Sequence, residues 1–142
     1  KKQYNYNKPN KTERKGLVIT RVGQGYYRKQ LLDRWENKCA VTSCTIKNIL
    51  IASHIVPWRK SNDVERLDIG NGILLSPNLD ALFDRHLISF DDEGNILISK
   101  TLSEGELTNL GISNNLKLHT VYPDMVNYLS RHREEFNEKE TN

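Results

Sequence analysis

The residues of this chain best suited to act together chemically are one histidine, one asparagine and two aspartates. His54 lies in the run Ser53-His54-Ile55-Val56-Pro57-Trp58; Asn71 follows seventeen residues after His54, Asp80 nine after that, and Asp84 four further on. A neutral imidazole can take a proton from water, and carboxylates are hard oxygen ligands for a divalent cation. Hydrolysis of a phosphodiester needs a base for the attacking water, positive charge on the phosphoryl oxygens and a way to stabilise the leaving 3′-oxygen. One imidazole and one carboxylate-held cation can together meet all three needs. His54 is therefore the expected general base and Asp80 the expected first metal ligand. Hard oxygen ligands favour Mg²⁺ or Mn²⁺ over Zn²⁺.

The flanking sequence says which elements must carry these residues. Leu50 to Val56 is an apolar run stopped by Pro57, which cannot donate to a ladder, so His54 is expected at the end of a strand. A polar connection over residues 58–70 follows, and Asn71-Gly72 turns the chain into the return strand Ile73-Leu74-Leu75. Ser76-Pro77 supplies an N-cap and a first-turn proline for a helix running to Arg85 or His86, with Leu79, Leu82 and Phe83 on its apolar side. Asp80 and Asp84, at i and i+4, share one stripe of that helix and can point at a common centre. The same spacing also suits a salt bridge on a solvated face.

Upstream, residues 1–15 contain no aliphatic residue and read as a flexible basic arm or linker, leaving 16–142 as the folded domain. After Leu17-Val18-Ile19 and a turn signal at Gly23-Gln24-Gly25, residues 26–37 place Tyr27, Leu31, Leu32 and Trp35 at helical spacing. Arg28, Lys29 and Arg34 occupy the opposite face, which suits either phosphate or solvent. Cys39-Ala40-Val41 reads as a short strand. Downstream, residues 87–99 form a β-hairpin around Asp92-Glu93-Gly94-Asn95, Ser103-Glu104-Gly105-Glu106 caps a short helix, and Pro123-Asp124-Met125 opens a longer one. Strands and helices segregated in this way indicate an α+β domain.

Charge is distributed unevenly. The net formal charge is +3, but residues 1–15 carry +5, residues 21–60 carry +6 and residues 61–142 carry −8. A basic first half suits a polyanion, and an acidic second half must face away from it or bind metal. Arg28, Lys29, Arg59, Lys60 and His86 are the candidate nucleic-acid contacts, His86 having the alternative of meeting the helix-end carbonyls. His119 and His132 have no motif around them and read as surface residues. No apolar run is long enough to span a membrane. Cys39 and Cys44 are the only cysteines. They read as reduced, partly buried thiols of a cytoplasmic protein, with a histidine-completed zinc site and a disulfide as the alternatives.

Together, His54-Ile55-Val56-Pro57, Asn71 and Asp80 resemble the motif of the HNH, or ββα-metal, nucleases: a histidine ending the first strand, an asparagine opening the second, and a helix-borne ligand nine residues on. Cys39-Ala40-Val41-Thr42, Asn71-Gly72-Ile73-Leu74-Leu75 and Leu79-Asp80-Ala81-Leu82-Phe83-Asp84-Arg85 extend the likeness, over roughly residues 20–100, to a subgroup common in bacterial restriction-type endonucleases. The resemblance implies a ββα-metal core, a β-hairpin plus helix, with flanking helices and an extra hairpin. It also implies a divalent-metal-dependent DNA endonuclease that leaves 5′-phosphate and 3′-hydroxyl ends. In it His54 is the base, Asp80 the helix ligand and Asn71 the residue whose amide holds the connection so that His54 keeps its working orientation. Ser53 stands where many members have an aspartate or histidine ligand, so Asp84 or water is left to complete the shell.

Members of that subgroup often follow a DNA-reading domain, including readers of modified cytosine, and a chain beginning at Lys1 suits a piece of such a protein. Double-stranded DNA is the expected partner, and cutting both strands with one site per chain calls for a homodimer or sequential nicking. Two other functions compete. The neutral Ser53 suits a catalytically degenerate DNA-binding module, and Cys39 with Cys44 suits a structural zinc module.

Overall fold

The computed structural model describes residues 11–142, with side chains from residue 22 onward. Among these residues are four α-helices and two small antiparallel sheets: α1 (Lys11–Arg34), β1 (Ile51–His54), β2 (Gly72–Leu75), α2 (Pro77–Asp84), β3 (Ile88–Phe90), β4 (Ile96–Ile98), α3 (Glu104–Leu110) and α4 (Val126–Thr141). This is the α+β class expected.

The first sheet pairs β1 with β2 so that His54 faces Gly72 and Ser53 faces Ile73. α1 packs on both strands and α2 lies against β1. Ile73, Leu74 and Leu75 are fully buried between these helices together with Leu31 and Leu79. A strand covered on both faces reads as a continuous apolar run, which is why the return strand shows no alternation. The second sheet, β3 with β4, packs against α4 and α2. Its turn is closed by Asp91, whose side chain accepts from the backbone N–H groups of Glu93 and Asn95, with Gly94 in the left-handed region at φ 86°.

Several helix ends follow the expected chemistry. Ser103 caps α3 through Oγ, which accepts from Glu106 N–H at 3.2 Å. Pro77 opens α2 at its first turn, but Ser76 caps by position only: its hydroxyl donates to Asn78 Oδ1. α2 closes in a Schellman motif, with His86 N–H donating to Phe83 O and Leu87 N–H to Leu82 O. His86 holds the left-handed position at φ 56°, which glycine usually takes.

Three expectations are corrected. Gly23-Gln24-Gly25 makes no turn, because α1 continues unbroken from Lys11 to Arg34. Each glycine costs the helix about 1 kcal/mol, an amount outweighed by burial of Tyr27, Leu31, Leu32 and Trp35 against the first sheet. The helix also begins inside the expected arm; residues 1–10 of that arm lie outside the described residues. Cys39-Ala40-Val41 is not a strand, since Cys39 N–H turns back onto Cys44 O and only Ala40 bonds to β2, through Leu74 O. Both cysteines are free thiols.

Candidate active site

Two consecutive residues of β1 carry the site to opposite faces, as strand geometry requires. Ser53 turns towards α2, where its hydroxyl donates to the Asp80 carboxylate in a close hydrogen bond. His54 turns towards α1, where its ring stacks on Tyr27 with centroids 4.6 Å apart and planes 5° from parallel. Trp58 meets the imidazole edge to face, at 5.6 Å and 83°.

The imidazole has a defined tautomer. His54 Nε2 lies 2.7 Å from the backbone oxygen of Arg66. A carbonyl can only accept, so Nε2 carries the proton and Nδ1 keeps its lone pair. Nδ1 has no hydrogen-bond partner among the described residues. Burial disfavours the imidazolium and holds the His54 pKa below its ordinary value. The Arg66 carbonyl bond pulls the other way, and the nearby Arg66 charge adds to the lowering. His54 is therefore a neutral imidazole at pH 7, with one nitrogen fixed and the other free to accept a proton.

Asn71 reaches no solvent, at 0 % exposure. Its Oδ1 accepts from Val56 N–H at 2.8 Å, and its Nδ2 donates to Ser61 Oγ at 3.2 Å and to Glu65 O at 3.1 Å. One amide thus joins the start, middle and end of the connection between β1 and β2. Asn62 and Glu65 reinforce it reciprocally, each side chain accepting from the other's backbone N–H at 2.9 Å. α4 fastens the same segment from outside, through Arg131 to Glu65 at 2.6 Å, Tyr128 to Asp68 at 2.7 Å and Lys60 to Glu135 at 2.5 Å. Because Arg131 bonds it, the Glu65 carboxyl titrates below the usual range.

The donor set limits the kind of ion the site suits. Among the described residues no group of three or more His, Cys, Asp or Glu side chains is placed to hold a metal ion. Asp80, half-buried, and the Ser53 hydroxyl form one joined pair of oxygen donors. Asp84 is exposed one turn further on and hydrogen-bonds to neither of them. One carboxylate with a neighbouring hydroxyl fits a hard cation that keeps most of its waters and shares the phosphate of a substrate, and does not fit an enclosed zinc site.

The candidate nucleic-acid contacts divide. Lys29 and Arg59 are exposed, and Lys60 is half-exposed beside Glu135. Arg28 is instead a tether: its guanidinium donates to Leu50 O at 2.6 Å and Lys47 O at 3.1 Å, holding the entry to β1. His86 is also corrected. At 3 % exposure it presents no surface to a phosphate. Its Nε2 lies 2.6 Å from Glu135, off the line of a good hydrogen bond, and its ring stacks on His132 at 4.1 Å.

His132, expected on the surface, is buried at 2 % exposure. Nε2–H donates to Phe83 O and Nδ1 accepts from the Ser89 hydroxyl, both at 2.8 Å, while burial pushes its pKa down to about 3. It holds α4 against α2 and β3. His119 is exposed, as expected.

Sequence reasoning did not place Tyr27, Trp58 or the Arg66 carbonyl at the site. Tyr27 reads as a core residue on a helical stripe, and no local pattern says that its ring meets a histidine 27 positions later.

A family model described as HNH endonuclease matches residues 39–91. The matched segment holds β1, β2 and α2, and with them Ser53, His54, Asn71, Asp80 and Asp84. It supports the HNH family for this chain, and with the family a nuclease. No curated protein matches the chain.

Proposed function

We propose that this chain is a divalent-metal-dependent DNA endonuclease of the HNH type, built on a ββα-metal core and serving as the nuclease unit of a restriction or defence enzyme. The observation that carries the reading is the tautomer of His54. With Nε2–H committed to Arg66 O, the lone pair on Nδ1 can take the proton from an attacking water. Asn71 touches no reacting atom in this reading. It is a positioning residue that holds the segment bearing the Arg66 carbonyl.

Asp80, with the Ser53 hydroxyl beside it, would hold Mg²⁺ or Mn²⁺. When bound, such an ion supplies positive charge to the phosphoryl and leaving oxygens. Asp84, one turn further along the helix and exposed, would be the other carboxylate of α2 available to such an ion. Lys29, Arg59 and Lys60 supply exposed positive charge for the DNA backbone. DNA as substrate is what the HNH endonuclease match implies, and double-stranded cutting with one site per chain would use a homodimer or successive nicks.

Mapping the ends made on a duplex oligonucleotide tests the reaction: 5′-phosphate and 3′-hydroxyl termini are expected, and 3′-phosphate termini would contradict it. The pairing of Ser53 with Asp80 favours a second reading, in which a hydroxyl stands in for a metal ligand and the chain is a degenerate DNA-binding module. Retained DNA binding without cleavage at any concentration of Mg²⁺ or Mn²⁺ would select it.

A further inference from the structure

Tyr27 comes from α1, outside the segment matched to the HNH family, yet it makes two separate contacts with the candidate site. Its ring lies parallel to His54 at 4.6 Å. Its hydroxyl donates to the backbone oxygen of Asn71 at 2.8 Å. The side chain is 1 % exposed. Gly72, the partner of His54 across the strands, leaves room for it: a Cβ there would lie 2.5 Å from the Tyr27 hydroxyl and 2.7 and 2.8 Å from the Leu31 methyls.

An imidazole joined to its Cβ turns about a broad, two-fold torsion, so one hydrogen bond defines its orientation poorly. Arg66 O holds one nitrogen of His54 and Trp58 meets the ring edge to face. Tyr27 covers a whole face. A parallel ring at this distance blocks the half-turn that would put Cε1 where Nε2 stands and Cδ2 where Nδ1 stands, and it excludes water from that side.

We propose that Tyr27 is a positioning residue for the reaction at His54, its ring serving as the platform that keeps Nε2–H on the Arg66 carbonyl and leaves Nδ1 unbonded. Its hydroxyl fastens the Asn71–Gly72 junction to the same helix. The proposal deepens the reading of His54 as general base and rests on it. An aromatic ring of the same size can serve as the platform; an aliphatic side chain cannot.

The test compares wild type, Tyr27→Phe and Tyr27→Leu by ¹⁵N NMR of His54, with plasmid nicking measured on the same preparations. Wild type and Tyr27→Phe are expected to show the single Nε2–H tautomer, with Nε2–H held on the Arg66 carbonyl. Tyr27→Leu is expected to mix the tautomers. Its nicking rate should fall by about tenfold to a hundredfold with DNA affinity unchanged, since misplacing a reacting group by an ångström costs that order. A folded Tyr27→Leu protein with the single wild-type tautomer overturns the proposal. Should that variant not fold, Tyr27→Met is read in the same way. A wild type that nicks nothing defeats the nuclease reading, while the NMR comparison still decides whether Tyr27 sets the ring.

Discussion

Asn71 and His54 grip consecutive backbone carbonyls: Asn71 Nδ2 donates to Glu65 O at 3.1 Å, and His54 Nε2 donates to Arg66 O at 2.7 Å. The asparagine and the histidine therefore hold neighbouring points of one loop, and a shift of that loop at Glu65 is passed to the imidazole through a single residue. The fully buried amide bonds only to protein, so it affects His54 by fixing where the Arg66 carbonyl stands.

Asn71→Ala should accordingly damage both stability and chemistry. It leaves Val56 N–H without its acceptor and Glu65 O without one donor, and buried groups left unpaired cost about 1–3 kcal/mol each. Denaturant unfolding should show a loss of that order. A stable Asn71→Ala protein that nicks at the wild-type rate would show that the clamp does not position His54.

The pH dependence of nicking follows from the lowered pKa of His54. The base works as the neutral imidazole, so the rate should rise with pH through the folded pKa. That pKa lies below 6.5 because burial penalises the imidazolium, so the acid limb of the pH–rate profile should fall below 6.5. An acid limb centred above 6.5 would mean that another group is being titrated.

Metal dependence should report on the Ser53–Asp80 pair. Asp80→Ala should raise the Mg²⁺ or Mn²⁺ concentration for half-maximal nicking by more than tenfold. Ser53→Ala, which removes the hydroxyl bonded to that carboxylate, should raise it by about 10- to 100-fold, as loss of a ligand's supporting partner does. If Asp84→Ala has the largest effect of the three, the assignment of ligands along α2 is reversed.

Much of this arrangement is legible in the sequence, and what is not has physical reasons. The strand ending at His54, the return strand after Asn71 and the helix opening at Pro77 are local: an apolar run, a proline that cannot donate and a turn dipeptide mark them directly. The unbroken α1 is not local. Gly23 and Gly25 argue for a turn until packing of Tyr27 and Leu31 on the first sheet outweighs them. Nor is the fate of the two α2-side histidines. His86 sits at the left-handed end of α2 and His132 more than forty residues on, so their stacking depends on how α4 docks. Arg28 looks like a phosphate ligand in sequence because a tether to the Lys47 and Leu50 carbonyls leaves no mark on composition.

That distinction separates the basic residues experimentally. Replacing Lys29 and Arg59, both exposed, with alanine should weaken DNA binding and reduce the slope of log affinity against log salt by up to about 0.9 per charge removed from a phosphate contact. Arg28→Ala should lower the unfolding midpoint with little change in that slope. An unchanged slope for the Lys29 and Arg59 double variant would put those charges in solvent.

Incubating supercoiled plasmid with wild-type or His54→Ala protein, in Mg²⁺, Mn²⁺ or EDTA, tests most directly whether His54 drives a metal-dependent nuclease. Wild type should nick in either metal and not in EDTA, while His54→Ala, folded and still bound to DNA, should nick in none of them. Equal nicking by His54→Ala, or nicking by wild type in EDTA, would contradict it.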